Sequence, residues 1–462
     1  MRMNEKMLGT EKIGKLLVKM SVPAIIGMLV NALYNVVDTI FIGRGVGTLG
    51  IGGITIAFPV QLIIMSVGML VGMGSASVIS RSLGNGDRDR ASKTAGNAFL
   101  VSAVFGMGVM VLGLLFMQPI LRLLGATDEI LPYAREYLSV ILFGAVFITF
   151  AMSANNIARA EGKAVVAMLT MLIGTGMNIV LDPIFIFGLK MGIRGAATAT
   201  VISQFLAFAF LLVFFISGKS SLKIKLKHLK PDWPVLGEVF KLGIPIFVRQ
   251  LGMSILAIVV NNSLRAYGSE VHIAGFGIIN RLLMFTLMPI MGISQGFQPI
   301  AGYNYGAGST DRVKQTVKLS IIVSTAVALF AFLVMMLFPR TLLQIFTADA
   351  RLIREGTEAL RVVIIALPFI GLQLIGSTYF LAIGKAIPSL LLGMSRQILF
   401  LIPLVLLLPL TLGLSGVWTA FPIADGLATL ATVLWMARDL RKLQPAGLSH
   451  QVGVGVFHAD IH

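Results

Sequence analysis

The chain has 462 residues, is 56% hydrophobic and only 12% charged, and has a mean hydropathy of +0.91. That is about half the charge of a soluble domain and marks an integral membrane protein. The absence of cysteine excludes disulfides, thiolate catalysis and Cys-ligated metal. The net charge of +17 is spread over alternate loops rather than clustered, so no nucleic-acid partner is expected.

In chain order, a polar segment over residues 1–15 precedes apolar runs predicted to be helices. They lie at 16–42, 51–80, 94–117, 135–156, 164–187, 193–216, 239–264, 273–303, 316–338, 357–382, 387–411 and 415–437. The runs are long and continuous, which points to helices rather than a barrel. The first run lacks a cleavage site and is read as an uncleaved span, not a signal peptide. With the N-terminus inside, the inner segments hold 22 basic residues against 9 outside, so both termini are expected in the cytoplasm of a multi-pass plasma (inner) membrane protein. Membrane lipids are its expected surroundings, and the basic loops would attract anionic headgroups.

A repeat organises these spans. Lys19-Met-Ser-Val-Pro23 returns as Lys241-Leu-Gly-Ile-Pro245, Gly84-Asn-Gly86 as Gly306-Ala-Gly308, and Gly162-Lys163-Ala164 as Gly384-Lys385-Ala386, always 222 residues later. A constant offset means a duplicated six-helix unit, and an even number of spans gives both copies the same orientation. The chain is divided accordingly: an N-terminal segment 1–15, an N-lobe 16–217, a basic linker 218–238, a C-lobe 239–438 and a flexible tail 439–462. A cavity between two such lobes, opened by rocking, is the arrangement of alternating access.

The polar residues at membrane depth carry the chemistry. Asn31, Tyr34, Asn35 and Asp38 recur at helical spacing and form one stripe on the first span. A carboxylate in mid-membrane costs about 2.5–3.5 kcal/mol on insertion scales, so Asp38 is expected to face a partner or a watery space. The stripe could simply join helices; the alternative is an ion or proton site. On the fifth span Asn178 and Asp182 share a face, with Pro183 after them. Two carboxylates, an amide, Tyr34 and a hydroxyl from Thr198 or Thr200 would form an oxygen-rich cluster able to serve a small hard cation or to hold protons. Asn155 and Asn156 could line the same space. The second lobe is basic instead, with Arg249, Arg281 and Arg396 against a lone Asp425, where an Arg–Asp pair that merely neutralises buried charge is expected. Gln250, Asn261, Gln295 and Gln298 are candidates for a central cavity. Pro23, fifteen residues before Asp38, is placed to couple a bend to ion binding. Gly45-Val-Gly47-Thr-Leu-Gly50 has the spacing of a dinucleotide loop but no preceding strand, and no enzyme activity or cofactor is expected.

Together, the two repeats, Pro23, Tyr34 with Asp38, Asn178-Ile-Val-Leu-Asp182-Pro183 and Gln295-Gly-Phe-Gln298-Pro299 running into Tyr303-Asn-Tyr305-Gly306 resemble the multidrug and toxic compound extrusion (MATE) family over residues 10–440. The N-lobe acids resemble its DinF-like pattern and the eighth-span motif its MepA-like members. The resemblance implies an all-α, V-shaped, two-lobed transporter, expected as a monomer. It would be an antiporter coupled to H⁺ or Na⁺ that exports small amphipathic, often cationic compounds. By that pattern Asp38, Asn178, Asp182 and Thr200 hold the coupling ion, as metal ligands if it is Na⁺, with Tyr34 beside them. Asn155, Asn35, Gln250, Arg281 and Gln295 are candidates for the substrate cavity. The chain departs from NorM-like members, which carry a seventh-span glutamate where Arg249–Val260 has no acid, and Met152 stands where some members have asparagine. The first alternative is a lipid-linked glycan flippase, for which the C-lobe arginines would bind pyrophosphate; the second is a membrane receptor or channel-like scaffold.

Overall fold

The computed structural model describes residues 3–443; residues 1–2, the tail beyond Leu443 and the side chains of residues 3–6, Asn35, Val36 and Thr39 lie outside the described residues. The described chain is all helical, with eleven helices long and apolar enough to cross a membrane and a twelfth if one bent pair counts as a single span. We number the spans α1 (Ile13–Gly45), α2 (Thr48–Gly84), α3 (Arg88–Leu115), α4 (Leu131–Ala160), α5 (Ala164–Gly188), α6 (Gly192–Ile216), α7 (Trp233–Tyr267), α8 (Glu270–Gly306), α9 (Thr310–Leu337), α10 (Ala350–Val363 with Leu367–Ala382), α11 (Ala386–Leu412) and α12 (Leu414–Lys442).

Prolines mark the irregular spans. The two parts of α10 meet at 46°, with Pro368 just past the break. A π turn, Ile184–Gly188, follows Pro183, and another, Ser395–Leu401, precedes Pro403. In each case the ring denies the helix a donor and the backbone finds another register. By contrast α1 is helical throughout, Pro23 included.

The repeated motifs owe their recurrence to backbone geometry. Gly86 and Gly308 turn the chain at φ +81° and +70°, and Gly162 and Gly384 at +84° and +83°, the left-handed region that only glycine enters cheaply. Where the turn leads into α3, the Asp87 carboxylate accepts the Arg90 N–H at 2.9 Å as an N-cap.

The lobes meet along a pseudo-twofold axis. A Cβ on Gly84 would lie 1.9 Å from the Tyr303 carbonyl oxygen, and one on Gly306 2.1 Å from that of Arg81. Arg81 and Tyr303 are themselves 222 residues apart, so the contact is reciprocal, as twofold symmetry requires. Its partner contacts follow the same rule: Gly74 of α2 abuts Val239 and Gly243 of α7, and Gly296 of α8 abuts Met20 and Ser21 of α1. These approaches all fall in the half of the bundle nearest the two ends of the described chain. At the opposite end the glycines of α1, α2, α7 and α8 that meet a neighbour meet one in their own lobe, as Gly53 does at Tyr133 and Ala134 and Gly252 at Ile398. The interface is therefore tight at one end, and the spacing of Gly292 and Gly296 reports this helix packing.

The linker is built into that closed end. Asn97 donates to the carbonyls of His228 and Lys230 at 2.9 and 3.1 Å and accepts the Asp232 N–H at 2.7 Å. Glu161, wholly buried, accepts Ser220 Oγ and the Ser221 N–H. The short helix Met3–Thr10 is held to the C-lobe by Asn304 Nδ2 and Arg312 Nη2, both donating to the Leu8 carbonyl.

Candidate functional site

Asp38 sits on α1 and Asp182 on α5, two helices that pack side by side in the N-lobe. Their carboxyl groups come within hydrogen-bonding reach of each other. Asn178, one turn before Asp182, donates Nδ2 to Asp182 Oδ1 at 3.2 Å and, at 3.5 Å, to Thr200 Oγ1 on α6. Thr200 in turn donates to the Ala196 carbonyl at 3.0 Å, and Tyr34 reaches Thr200 from the α1 side. Thr198 instead donates to the Arg194 carbonyl at 2.7 Å, so of the two threonines it is Thr200 that Asn178 reaches.

Asp182 is fully buried and Asn178 is 2% exposed, yet Asp182 Oδ2 and Asn178 Oδ1 have no hydrogen-bond donor among the described residues. No basic side chain pairs with either carboxylate among the described ion pairs, whereas the C-lobe acid Asp425 is bound by Arg396. Orphaned acceptors beside two like charges form a set that a proton or a small hard cation would satisfy, since an uncompensated buried carboxylate is costly. Among the described residues no three His, Cys, Asp or Glu side chains converge as a metal site, so a cation here would draw on amide and hydroxyl oxygens too.

Sequence reasoning missed two neighbours of this cluster. Tyr137 of α4, 4% exposed, lies close enough to feel Asp38 and Tyr34 electrostatically, and its hydroxyl accepts Gln61 Nε2 at 3.0 Å. Both stand in apolar runs with no spacing that distinguishes them.

A cavity of about 260 Å³ opens in the N-lobe against α8, lined by Met28, Met65, Met69, Met152 and Met171 with Asn31, Asn155 and Gln295 among its polar groups. Asn155 turns its amide to the Ala167 carbonyl at 2.7 Å, and Gln295 alone of the C-lobe candidates reaches this space. Asn35 rides on α1, its side chain outside the described residues. Gln250 and Arg281 line none of the cavities found around the lobe interface, and Arg281 is exposed; neither helix face carried a spacing that could have told cavity from periphery. A further finding concerns Arg159, one of the 22 basic residues assigned above to the inner segments. It is 8% exposed in the last turn of α4 and lines the same cavity.

A dozen spans in two pseudo-symmetric lobes, an acidic pair inside one of them and a methionine-lined cavity between define a multi-pass membrane transporter of the alternating-access class. The MatE family model matches residues 23–184 and 245–407, one match per repeat. The chain is 31% identical over 411 residues to the multidrug export protein MepA of Staphylococcus haemolyticus, covering 89% of this chain and 90% of that protein. It is 30% identical over 427 residues to MepA of Staphylococcus aureus, covering 92% and 94%. A solved MATE transporter in complex with MaD3S superimposes with a TM-score of 0.89 at 30% identity, over 96% of this chain and 99% of that one. The chain belongs to the MATE family.

Proposed function

We propose that this protein exports amphipathic compounds across the plasma membrane by alternating access, with H⁺ or Na⁺ as the coupling ion at Asp38 and Asp182. The observation that carries the reading is the pair of carboxylates in mutual reach, without a basic partner and beside the orphaned oxygens of Asp182 and Asn178. Asn178, Thr200 and Tyr34 complete the ion's shell, and the adjoining methionines accept substrates of varied shape because a thioether chain repacks readily. Coupling follows if ion and substrate favour opposite states of the lobes: loading one raises the population that releases the other. If both termini are cytoplasmic, as the loop charges imply, the tight end faces the cytoplasm and the structure faces outward. The multidrug substrates of the MepA relatives support efflux as the direction. The flippase reading loses two of its three arginines, Arg396 to Asp425 and Arg281 to the exposed face of α8.

The test is transport in proteoliposomes of the purified chain under an imposed Na⁺ or proton gradient, read with a fluorescent amphiphile. One of the gradients is expected to drive efflux, and Asp38→Asn and Asp182→Asn each to reduce it to the ungated leak. Transport that ignores both gradients, or that survives both substitutions, overturns the mechanism.

A further inference from the structure

The acidic cluster is one half of the polar interior; the other half is basic and stands at the closed end of the central cavity. Arg159 is 8% exposed and, among the described residues, makes one hydrogen bond, Nη2 to Asn156 Oδ1 at 2.9 Å, with no carboxylate paired to it. Its neighbours in a small adjoining void are Asn156, Gln295 and Gln298. Across the interface Arg249 of α7 lines a second void with Ser294, Gln295 and Thr378, and it makes no hydrogen bond or ion pair among the described residues. Gln295 borders all three spaces, and its Oε1 is buried without a donor. One guanidinium from each lobe therefore faces the same glutamine, and most of the ten N–H donors the two carry are unused.

Two unpaired guanidinium groups in a membrane interior are expensive, and neither serves as the other's counter-ion. The same lobes show the inexpensive solution elsewhere, at Arg396 with Asp425. We infer that the closed end of the cavity is a binding site for the anionic group of an amphiphile, a carboxylate or phosphate monoester, gripped by Arg159 and Arg249 while its apolar body lies among the methionines. A guanidinium fork matches such oxygens two at a time, and the second amide protons of Asn156 and Gln298, whose first go to the Met152 and Met73 carbonyls, can donate to those left over. Substrates of this site carry a negative charge or are zwitterions, a class that two unpaired arginines favour over simple cations. Because the arginines come from opposite lobes, the anion would also bridge them. The inference uses the cavity of the transport reading but not its ion coupling, and equilibrium binding tests it apart from efflux.

The probe is a rhodamine with a free benzoate, compared with its methyl ester, which differs only in lacking the anion. Binding to the full chain in a neutral detergent is followed by fluorescence anisotropy. The free acid is expected to bind about ten-fold tighter than the ester, the worth of one charge-assisted pair. Arg159→Gln and Arg249→Gln should each bring the ratio of the two affinities toward one, and Arg159→Lys should retain part of it. If Arg159→Gln does not run as a single species, Arg249→Gln and the unmodified chain decide. An ester bound as tightly as the acid, or a preference that survives both glutamine substitutions, overturns the proposal. Phosphatidic acid, a phosphate monoester, added to the micelles separates the sources: competition against the acid but not the ester makes a lipid headgroup an occupant of the anion site, and its absence assigns the site to soluble carboxylates.

Discussion

Glu238, on the first turns of α7, is gripped by two arginines of the opposite lobe. Arg81 Nη2 reaches one carboxylate oxygen at 2.8 Å and Arg90 Nη2 the other at 2.5 Å. Arg81 is further pressed against Gly384, the turn between α10 and α11, where a Cβ would stand 2.5 Å from Nη1. The bridge thus joins the lobes at their closed end and must break if that end opens. Its worth follows from exposure. Arg81 and Glu238 are 19% and 27% exposed, a part-buried pair of about 1 kcal/mol, while Arg90 at 48% adds about half as much. Removing the shared carboxylate by Glu238→Gln should therefore move the closed-to-open equilibrium about ten-fold toward open. The chain has no cysteine, so Asn85→Cys and Asp311→Cys can carry spin labels on the two lobes without a background. Pulsed dipolar spectroscopy should show a longer-distance population for Glu238→Gln, and the charge swap Arg81→Glu with Glu238→Arg should withdraw much of it. Identical distributions for Glu238→Gln, Arg81→Gln and the unmodified chain would refute the reasoning.

The close glycine contacts give a steric counterpart. Ala at Gly74 or Gly306 would put a Cβ 2.2 Å from the Val239 carbonyl oxygen or 2.1 Å from that of Arg81, an overpacking of about 1–3 kcal/mol, and the same labels should report opening. In the C-lobe, Arg396→Gln leaves Asp425, 2% exposed, without its cation; as Arg396 is 23% exposed the cost is about 2–3 kcal/mol, seen as a lower melting temperature that Arg396→Met with Asp425→Leu largely restores. On the linker, the Lys93 ammonium 2.9 Å away, and then the Val235 N–H, hold the Asp232 carboxyl below the usual carboxylate range. A carboxylate depressed on folding contributes in full above its unfolded value near about pH 4 and loses that contribution as pH falls through its folded value. Asp232→Asn should accordingly lose less melting temperature on acidification below about pH 4 than the unmodified chain does.

What the sequence made legible is what depends on period and offset. Apolar runs of span length, glycines 222 residues apart and an i, i+4 Asn178–Asp182 pair survive any tertiary arrangement, because helix geometry fixes them locally. That Asp38 would meet Asp182, on a helix more than a hundred residues later, rested on the cost of an unaccompanied carboxylate and on family resemblance. Tyr137 and Gln61 were unreadable because a lone polar tip in an apolar run has no preferred face. Arg159 was misread for a specific reason. In the last turn of a helix a basic residue ordinarily complements the dipole and reaches for water. Helical side chains lean toward the N-terminus, however, and this one folds back a turn onto Asn156, into the cavity instead of the loop.

The duplication clarifies how one scaffold came to hold two chemistries. At the 222-residue offset Asp38 corresponds to Val260, Asn178 to Phe400 and Asp182 to Leu404, while Arg249 corresponds to Gly27 and Arg159 to Leu381. The turn glycines and the inter-lobe pairs Gly74/Gly296 and Gly84/Gly306 are kept in both copies because each is needed twice by the pseudo-twofold packing; these five polar and charged positions each stand in one copy alone. An ion site present in both lobes would bind two cations, and its protonation would not distinguish the lobes. Confined to α1, α5 and α6, as proposed above, it would let one lobe respond to the ion while the other responds through the interface, chiefly the contacts of α2 with α7 and α8 and of α1 with α8. Those contacts are backbone against backbone at glycine, where a shift of a few tenths of an ångström separates van der Waals contact from overlap. A packed interface of that kind has discrete fits and not a continuum of them, which is the property a two-state transporter requires if ion occupancy on α1 is to decide which end of the cavity is open.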